Sequence, residues 1–180
     1  NMVVMTPSDE AECRQMLTTA YHHPGPAAVR YPRGSGPGAT LPATLESLPL
    51  GKGVVRREGK GIALLAFGAM LTPALRAGDT LDATVANMRF VKPLDVELVR
   101  DLAARHDLLV TIEENTIIGG AGTEVARAIE MAGLGTPLMR LGLPDRFIDH
   151  GDSAALLREL GLDAEGIVAS VSTRLREGNS

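Results

Sequence analysis

The sequence lacks several features that mark large classes of protein. It has 180 residues, no tryptophan, one cysteine and only 3% aromatic residues. A single cysteine, Cys13, cannot form an internal disulfide, so nothing indicates a disulfide-stabilised secreted domain or a structural zinc site. No apolar run approaches the roughly 18 residues of a membrane-spanning helix. An excess of positive charge is also missing, since 18 Lys and Arg face 22 Asp and Glu. A general nucleic-acid-binding protein would need a basic face, and this class is therefore disfavoured.

What is present is the composition of a globular protein with an aliphatic core. Hydrophobic residues make up 44% of the chain and charged residues 22%. Short apolar runs alternate with segments of helical spacing along most of the sequence. Such alternation predicts an α/β fold with a mostly parallel sheet covered by helices on both faces.

The first 34 residues read as one βαβ unit. Residues 2–5 form an apolar run, a helix with Ser8 as its N-cap is predicted to continue to about Tyr21 or His22, and residues 27–31 read as a second strand. Because the chain opens inside a predicted strand, we expect that a preceding part is missing. The alternative is that the first residue of the sequence was chosen without regard to the fold.

The predicted boundary between two units lies in residues 35–52. Glycine and proline are frequent from Gly34 to Pro49 and no periodicity remains, which is typical of a linker. The residues Leu45, Leu48 and Leu50 suggest that the linker packs along a surface. We therefore divide the sequence into 1–34, the linker 35–52 and a second unit, 53–180.

The second unit has its own series of strands and helices. Strands are predicted at residues 62–67, 83–88, 108–112 and 138–141, after a short strand and turn within residues 53–61. Helices are expected with Pro73 in the first helical position, after Asp95, over Thr123–Met131, from Ser153 and after Asp163.

The sharpest candidate site is the segment Arg30-Tyr31-Pro32-Arg33-Gly34 at the end of a predicted strand. An arginine held there can bind a phosphate or a carboxylate through two parallel hydrogen bonds. It can equally form a salt bridge between the two units. The residues alone do not decide between these interpretations.

Two further motifs allow a structural and a chemical interpretation. Glu113-Glu114-Asn115 follows a predicted buried strand, where a carboxylate pair could serve in acid–base chemistry. We favour a structural role, in which these side chains bind the backbone amides of the next loop. Gly119-Gly120-Ala121-Gly122 could cradle a phosphate. It lacks the pattern of known phosphate loops, and a tight turn into a helix is the favoured interpretation.

The remaining metal-ligating and nucleophilic residues form no recognisable pattern. The four histidines are isolated or merely adjacent in the sequence, as His22, His23, His106 and His150. A metal site made from this chain alone is therefore not expected. Cys13 shares a helical face with apolar residues and is predicted to lie in the core.

Five motifs, in this order, resemble a known family over essentially the whole chain. They are residues 5–10 (MTPSDE), 28–34 (AVRYPRG), 88–95 (MRFVKPLD), 113–122 (EENTIIGGAG) and 142–145 (GLPD). Each motif is modest, but the ordered set resembles the C-terminal part of 1-deoxy-D-xylulose-5-phosphate synthases, which are transketolase-like thiamine diphosphate enzymes.

The resemblance implies a cytoplasmic transferase that joins pyruvate to glyceraldehyde 3-phosphate with loss of CO₂. Its product serves isoprenoid and thiamine biosynthesis. Residues 1–34 would be the last βαβ unit of the pyrimidine-binding domain, and residues 53–180 the transketolase C-terminal domain. Thiamine diphosphate and Mg²⁺ would bind only to the full-length enzyme. The resemblance places no catalytic, cofactor-binding or metal-binding residue in this chain, which alone should be inactive.

One residue role can be carried over. Arg33 matches the family position that binds the substrate phosphate, and its neighbours Arg30 and Tyr31 are weaker candidates. The expected partners are the missing N-terminal part of the same polypeptide, a second copy in a homodimer and the two small substrates, but neither nucleic acid nor a membrane. Two alternatives remain: a non-catalytic α/β association or regulatory module, and the C-terminal part of a transketolase or of a 2-oxo acid dehydrogenase β subunit.

Overall fold

Two sheets organise residues 1–178, the part of the chain that the computed structural model describes. The smaller sheet has three strands, β1 (Val3–Met5), β2 (Ala27–Val29) and β6 (Phe90–Lys92), in the order β2-β1-β6. β1 pairs with β2 in parallel and with β6 in antiparallel orientation. Because β6 belongs to the later part of the chain, this sheet joins the N-terminal βαβ unit to the rest of the molecule.

The N-terminal βαβ unit is present, with different helix and strand ends. Helix α1 (Glu10–His22) begins after Asp9, whose Oδ1 accepts a hydrogen bond from the Glu12 amide at 2.8 Å. The prediction of Ser8 as the N-cap was therefore wrong. The amide of Ser8 instead donates to the Glu12 carboxylate at 2.8 Å, as in a capping box shifted by one residue. Strand β2 ends at Val29, two residues before the predicted end.

The segment 35–52 packs along α1 and has no helix or strand of its own. The Glu10 carboxylate accepts hydrogen bonds from the amides of Gly38 and Ala39, and the Thr19 hydroxyl accepts one from the amide of Leu48. Of the three leucines that suggested surface packing, Leu48 is buried, while Leu45 and Leu50 stay exposed.

The larger sheet has five strands in the order β3-β5-β4-β7-β8. They are β3 (Val54–Arg57), β4 (Ile62–Ala66), β5 (Thr84–Asn87), β7 (Leu108–Thr116) and β8 (Leu138–Leu143). Only the edge strand β3 is antiparallel to its neighbour. The helices are α2 (Leu71–Leu81), α3 (Val96–Arg105), α4 (Ala121–Met131), α5 (Ser153–Glu159) and α6 (Ala164–Gly178). The prediction of a mostly parallel, helix-covered sheet is confirmed.

Alternate residues of the central strand β4 face two separate cores. Ile62 and Leu64 pack in the core that α2 and α6 cover, and Ala63 and Leu65 pack in the core that α3 and α4 cover. Every residue of β4 is buried, as its unbroken apolar run predicted. None of the helices described within residues 1–178 is long and apolar enough to cross a membrane.

Several local predictions are confirmed and others are corrected. The side chains of Asp95 and Asp163 cap α3 and α6, as predicted. Pro73 is the third residue of α2, not the first. Strand β6 was not predicted, because three residues directly before Pro93 show too little periodicity to indicate a strand.

Candidate functional site

The segment Arg30–Gly34 leaves the small sheet and enters a broad cleft of about 1280 Å³. The opposite walls come from α2 and from the α5–α6 region. Four arginines line this cleft, namely Arg30, Arg33, Arg76 and Arg158. Its carboxylates include Asp152 and Asp163, which already accept hydrogen bonds as helix N-caps. Arg158 lies near one of them, with its Nε 3.8 Å from Asp163 Oδ2.

Arg30 braces the two units. Its amide donates to the Met5 carbonyl at 2.8 Å, which continues the β1–β2 pairing by one residue. Its guanidinium Nη2 donates to the backbone carbonyl of Glu114 at 2.7 Å. The sequence left open whether an arginine of this segment links the two units. Arg30 does so, through a hydrogen bond to a backbone carbonyl and not through a salt bridge to a carboxylate.

Arg33 is different, because its side chain is exposed and has no hydrogen bond or ion pair with any residue in 1–178. Tyr31 lies beside it with 60% of its surface exposed. Arg76, on the face of α2 that lines the cleft, also has an unpaired guanidinium among these residues. Arg33 therefore has five N–H donors available for an external anion.

Glu113 does not belong to an acid–base pair. Its side chain is 3% exposed, and its two carboxylate oxygens accept hydrogen bonds from the amides of Ala121 at 2.7 Å and Gly122 at 2.9 Å. Burial raises the pKa of this carboxyl, and the two backbone hydrogen bonds together with the charges of Arg140 and Arg30 oppose the rise. The favoured structural interpretation of Glu113 is confirmed.

The first amides of α4, after the glycine turn, are not available to a phosphate. The two amides at the start of α4 are already bonded to Glu113. A Cβ on Gly120 would overlap both the Glu113 carboxylate and the Thr116 carbonyl, which explains why glycine stands there. The chain thus supplies its own anion to this helix N-terminus, and the interpretation as a tight turn is supported.

The histidines and Cys13 do not gather into one cluster of potential metal ligands within residues 1–178. His22 is exposed at the end of α1, and His106 is buried between the Leu102 carbonyl and the Thr84 hydroxyl. Cys13 is only partly buried, so its placement in the core was wrong. Across residues 1–178, no three His, Cys, Asp or Glu side chains come together as potential metal ligands.

Sequence reasoning missed a buried polar cluster between α1 and the end of β5. The Glu12 carboxylate accepts hydrogen bonds from Arg89 Nε at 2.7 Å and from Asn87 Nδ2 at 3.0 Å. Glu12 is 4% exposed and Asn87 is fully buried. A charged residue at a buried helix position was the available signal, but its partners lie more than 70 residues away. We call Glu12, Asn87 and Arg89 the interunit cluster.

Comparisons with known proteins match both the larger sheet and the complete chain. Residues 51–167 match the family model "Transketolase, C-terminal domain". Over its full length, the chain is 61% identical to a protein from Aromatoleum aromaticum, of which it covers 29%. Over 98% of its length, it is 60% identical to a protein from Thioalkalivibrio sulfidiphilus, of which it covers 28%. Both relatives are named 1-deoxy-D-xylulose-5-phosphate synthase. The chain therefore spans less than a third of the length of these curated relatives.

Solved structures agree with this fold. One described as "Split gene transketolase, inactive beta4 tetramer" superposes on 96% of this chain with a TM-score of 0.83 and 32% identity, using 56% of its own length. A transketolase from Campylobacter jejuni superposes on 96% of this chain with a TM-score of 0.67, using 26% of its own length. At 16% identity, this second likeness concerns the fold alone.

Proposed function

The chain belongs to the transketolase C-terminal domain family, and we propose from this that it is the C-terminal part of a 1-deoxy-D-xylulose-5-phosphate synthase. The name carried by relatives that are about 60% identical over nearly the whole chain supports this proposal. The full-length enzyme would join pyruvate to glyceraldehyde 3-phosphate with release of CO₂. Residues 1–34 would complete a pyrimidine-binding domain, residues 35–52 would be the linker, and residues 53–180 would form the C-terminal domain.

Thiamine diphosphate and Mg²⁺ would be held by parts of the enzyme outside this chain. Residues 1–178 show no built site for the cofactor, since no three His, Cys, Asp or Glu side chains among them come together and the amides after the glycine turn are bonded to Glu113. No step of the reaction is therefore assigned to a residue of this chain through the cofactor. A homodimer and a cytoplasmic location are further parts of the proposal.

Arg33 is proposed to bind the phosphate of glyceraldehyde 3-phosphate. The observation that carries this role is its unpaired guanidinium at the rim of the cleft, next to Arg30, which is already engaged. A phosphate dianion is well matched by the planar fork of an arginine. Because this phosphate does not react, its binding serves mainly to hold and orient the acceptor aldehyde.

The test is the substitution Arg33→Ala in the full-length enzyme, with steady-state kinetics for each substrate. A charge-assisted hydrogen bond contributes about 1.5–3 kcal/mol, so we expect KM for glyceraldehyde 3-phosphate to rise on the order of 10- to 100-fold. KM for pyruvate should change little, because pyruvate has no phosphate. Arg33→Lys should recover part of the loss, since it keeps the charge but not the fork.

Two controls separate phosphate binding from a structural role. Arg56→Ala removes another exposed guanidinium without a partner in residues 1–178, outside the cleft, and should leave both KM values unchanged. Unphosphorylated glyceraldehyde should be used about equally well by the Arg33→Ala enzyme and the parent. An equal loss for both substrates would contradict the proposed role of Arg33.

A further inference from the structure

We propose that Arg89 is a positioning residue for the Arg30–Gly34 segment and thereby for binding of the substrate phosphate. Arg89 has no hydrogen bond or ion pair with that segment and does not line the cleft. It contacts α1 through Glu12 and the residue after β1 through Thr6, and β1 in turn pairs with β2, from whose end the segment leaves. The functional part of this inference rests on the proposed role of Arg33, whereas its structural part can be measured without substrate.

The backbone of Arg89 adopts a conformation that needs support. Its φ angle is +59°, in the left-handed region that residues with a side chain seldom occupy. Two contacts hold it there: Nε donates to Glu12 Oε1 at 2.7 Å, and the Arg89 amide donates to Asn87 Oδ1 at 3.2 Å. Because Asn87 also donates to Glu12, all three members of the interunit cluster fix one another.

The left-handed turn directs the Arg89 carbonyl toward β1. This carbonyl accepts a hydrogen bond from the Thr6 amide at 2.8 Å and one from the Thr6 hydroxyl at 3.3 Å. The preceding residue, Met5, accepts the amide of Arg30 at 2.8 Å. A continuous series of hydrogen bonds therefore runs from Arg89 through β1 to Arg30, three residues before Arg33.

The side chain of Arg89 makes a contribution that can be isolated from the folding of α1. Without it, the Glu12 carboxylate would still accept hydrogen bonds from Asn87 Nδ2 and from the Ser8 amide. The buried carboxylate would thus keep two hydrogen-bond partners but lose its ion pair, and the turn at residue 89 would lose its restraint. The expected consequence is a less fixed β1–β6 junction, and with it a less fixed position of the Arg30–Gly34 segment.

The experiment compares Arg89→Ala and Arg89→Lys with the parent in the full-length enzyme. Amide hydrogen exchange of peptides that cover residues 27–35 should become faster in Arg89→Ala. KM for glyceraldehyde 3-phosphate should rise about tenfold, which is less than the roughly 100-fold that a displacement of a full 1 Å can cost. KM for pyruvate and use of unphosphorylated glyceraldehyde should stay near parental values. Arg89→Lys, which keeps a cation facing Glu12, should restore part of both effects.

The matched control is Arg105→Ala, which removes an arginine that is ion-paired with Asp101 on the surface of α3. It should change neither exchange of residues 27–35 nor either KM. If Arg89→Ala does not fold, Arg89→Lys decides by the same two measurements. Unchanged exchange in residues 27–35, or an equal rise of KM for both substrates, would overturn the positioning role. A third outcome separates the two proposals. If Arg89→Ala exchanges faster in residues 27–35 but keeps the parental KM, and Arg33→Ala also keeps the parental KM, Arg89 positions the segment. That result would contradict only the phosphate role of Arg33.

Discussion

Removing the Glu113 side chain should destabilise the protein, and a small carboxylate in solution should restore part of the loss. In the parent, both oxygens of this buried carboxylate bond to the amides at the start of α4. Glu113→Ala leaves these amides without a partner and opens a space about the size of the lost carboxymethyl group. Formate fits that space and offers the same two acceptor oxygens.

The magnitude follows from the two hydrogen bonds. Each bond between an N–H and a charged group contributes about 1.5–3 kcal/mol, so the pair contributes roughly 3–6 kcal/mol. Part of this is offset, because burial of the carboxylate itself costs several kcal/mol. We therefore expect a net loss of about 2–4 kcal/mol, which lowers Tm by roughly 4–16 °C in a domain of this size.

The assay is thermal unfolding in formate and in chloride at equal ionic strength. If formate binds the Glu113→Ala protein with a Kd near 10 mM, 100 mM formate should stabilise that protein by about 1.4 kcal/mol. The parent should show no such difference between the two salts. Neither should Glu114→Ala, because the side chain of Glu114 has no hydrogen bond to any residue in 1–178. Equal Tm values of the Glu113→Ala protein in formate and chloride would refute the assignment of this helix N-terminus as an internally filled anion site.

Three further predictions concern the same turn and the cofactor. Gly120→Ala should cost about 1–3 kcal/mol in urea unfolding, because its Cβ would overlap the Glu113 carboxylate and the Thr116 carbonyl, whereas Gly135→Ala meets no atom within 4 Å and should be nearly neutral. Burial raises the pKa of the Glu113 carboxyl above its ordinary value of 4.5, so the stability it contributes is fully present below that pH and is lost as pH rises through the folded pKa. The Tm advantage of the parent over Glu113→Gln should therefore shrink from pH 4 to pH 7, and an advantage that grows would contradict the raised pKa. Calorimetric titration of the 180-residue chain with thiamine diphosphate and Mg²⁺ should show no binding, and tight binding would contradict the placement of the cofactor site outside it.

The larger sheet could be predicted from the sequence because its central strands are buried and largely apolar. Ile62–Ala66 is an unbroken apolar run and Leu108–Ile112 is apolar except for Thr111, and both proved to belong to central parallel strands. Strand β6 could not be found in this way. Its three residues acquire their conformation from pairing with β1, which lies more than 80 residues earlier in the chain.

The candidate site was only partly predictable, since its chemistry depends on which groups already have partners. Arg30 and Arg33 stand three residues apart in one motif, and only the family resemblance distinguishes them in the sequence. In the structure, Arg30 donates to the Glu114 carbonyl, and Arg33 has no partner in residues 1–178. The interunit cluster was beyond sequence reasoning for the same reason, because the partners of Glu12 come from a distant turn.

The charges around the cleft separate into those that the fold uses and those that it leaves available. Glu113 occupies the α4 N-terminus, Asp152 and Asp163 cap α5 and α6, and Arg30 is bonded to a carbonyl. Within residues 1–178, the fold supplies partners for these groups, but not for the guanidinium groups of Arg33 and Arg76. An exposed guanidinium without a protein partner is solvated by water, and a bound phosphate would accept two directed hydrogen bonds from it. The glycine turn resembles a phosphate-binding loop more closely than the Arg30–Gly34 segment does. It is nevertheless the weaker candidate for a phosphate site, because the amides that follow it are already hydrogen-bonded to Glu113.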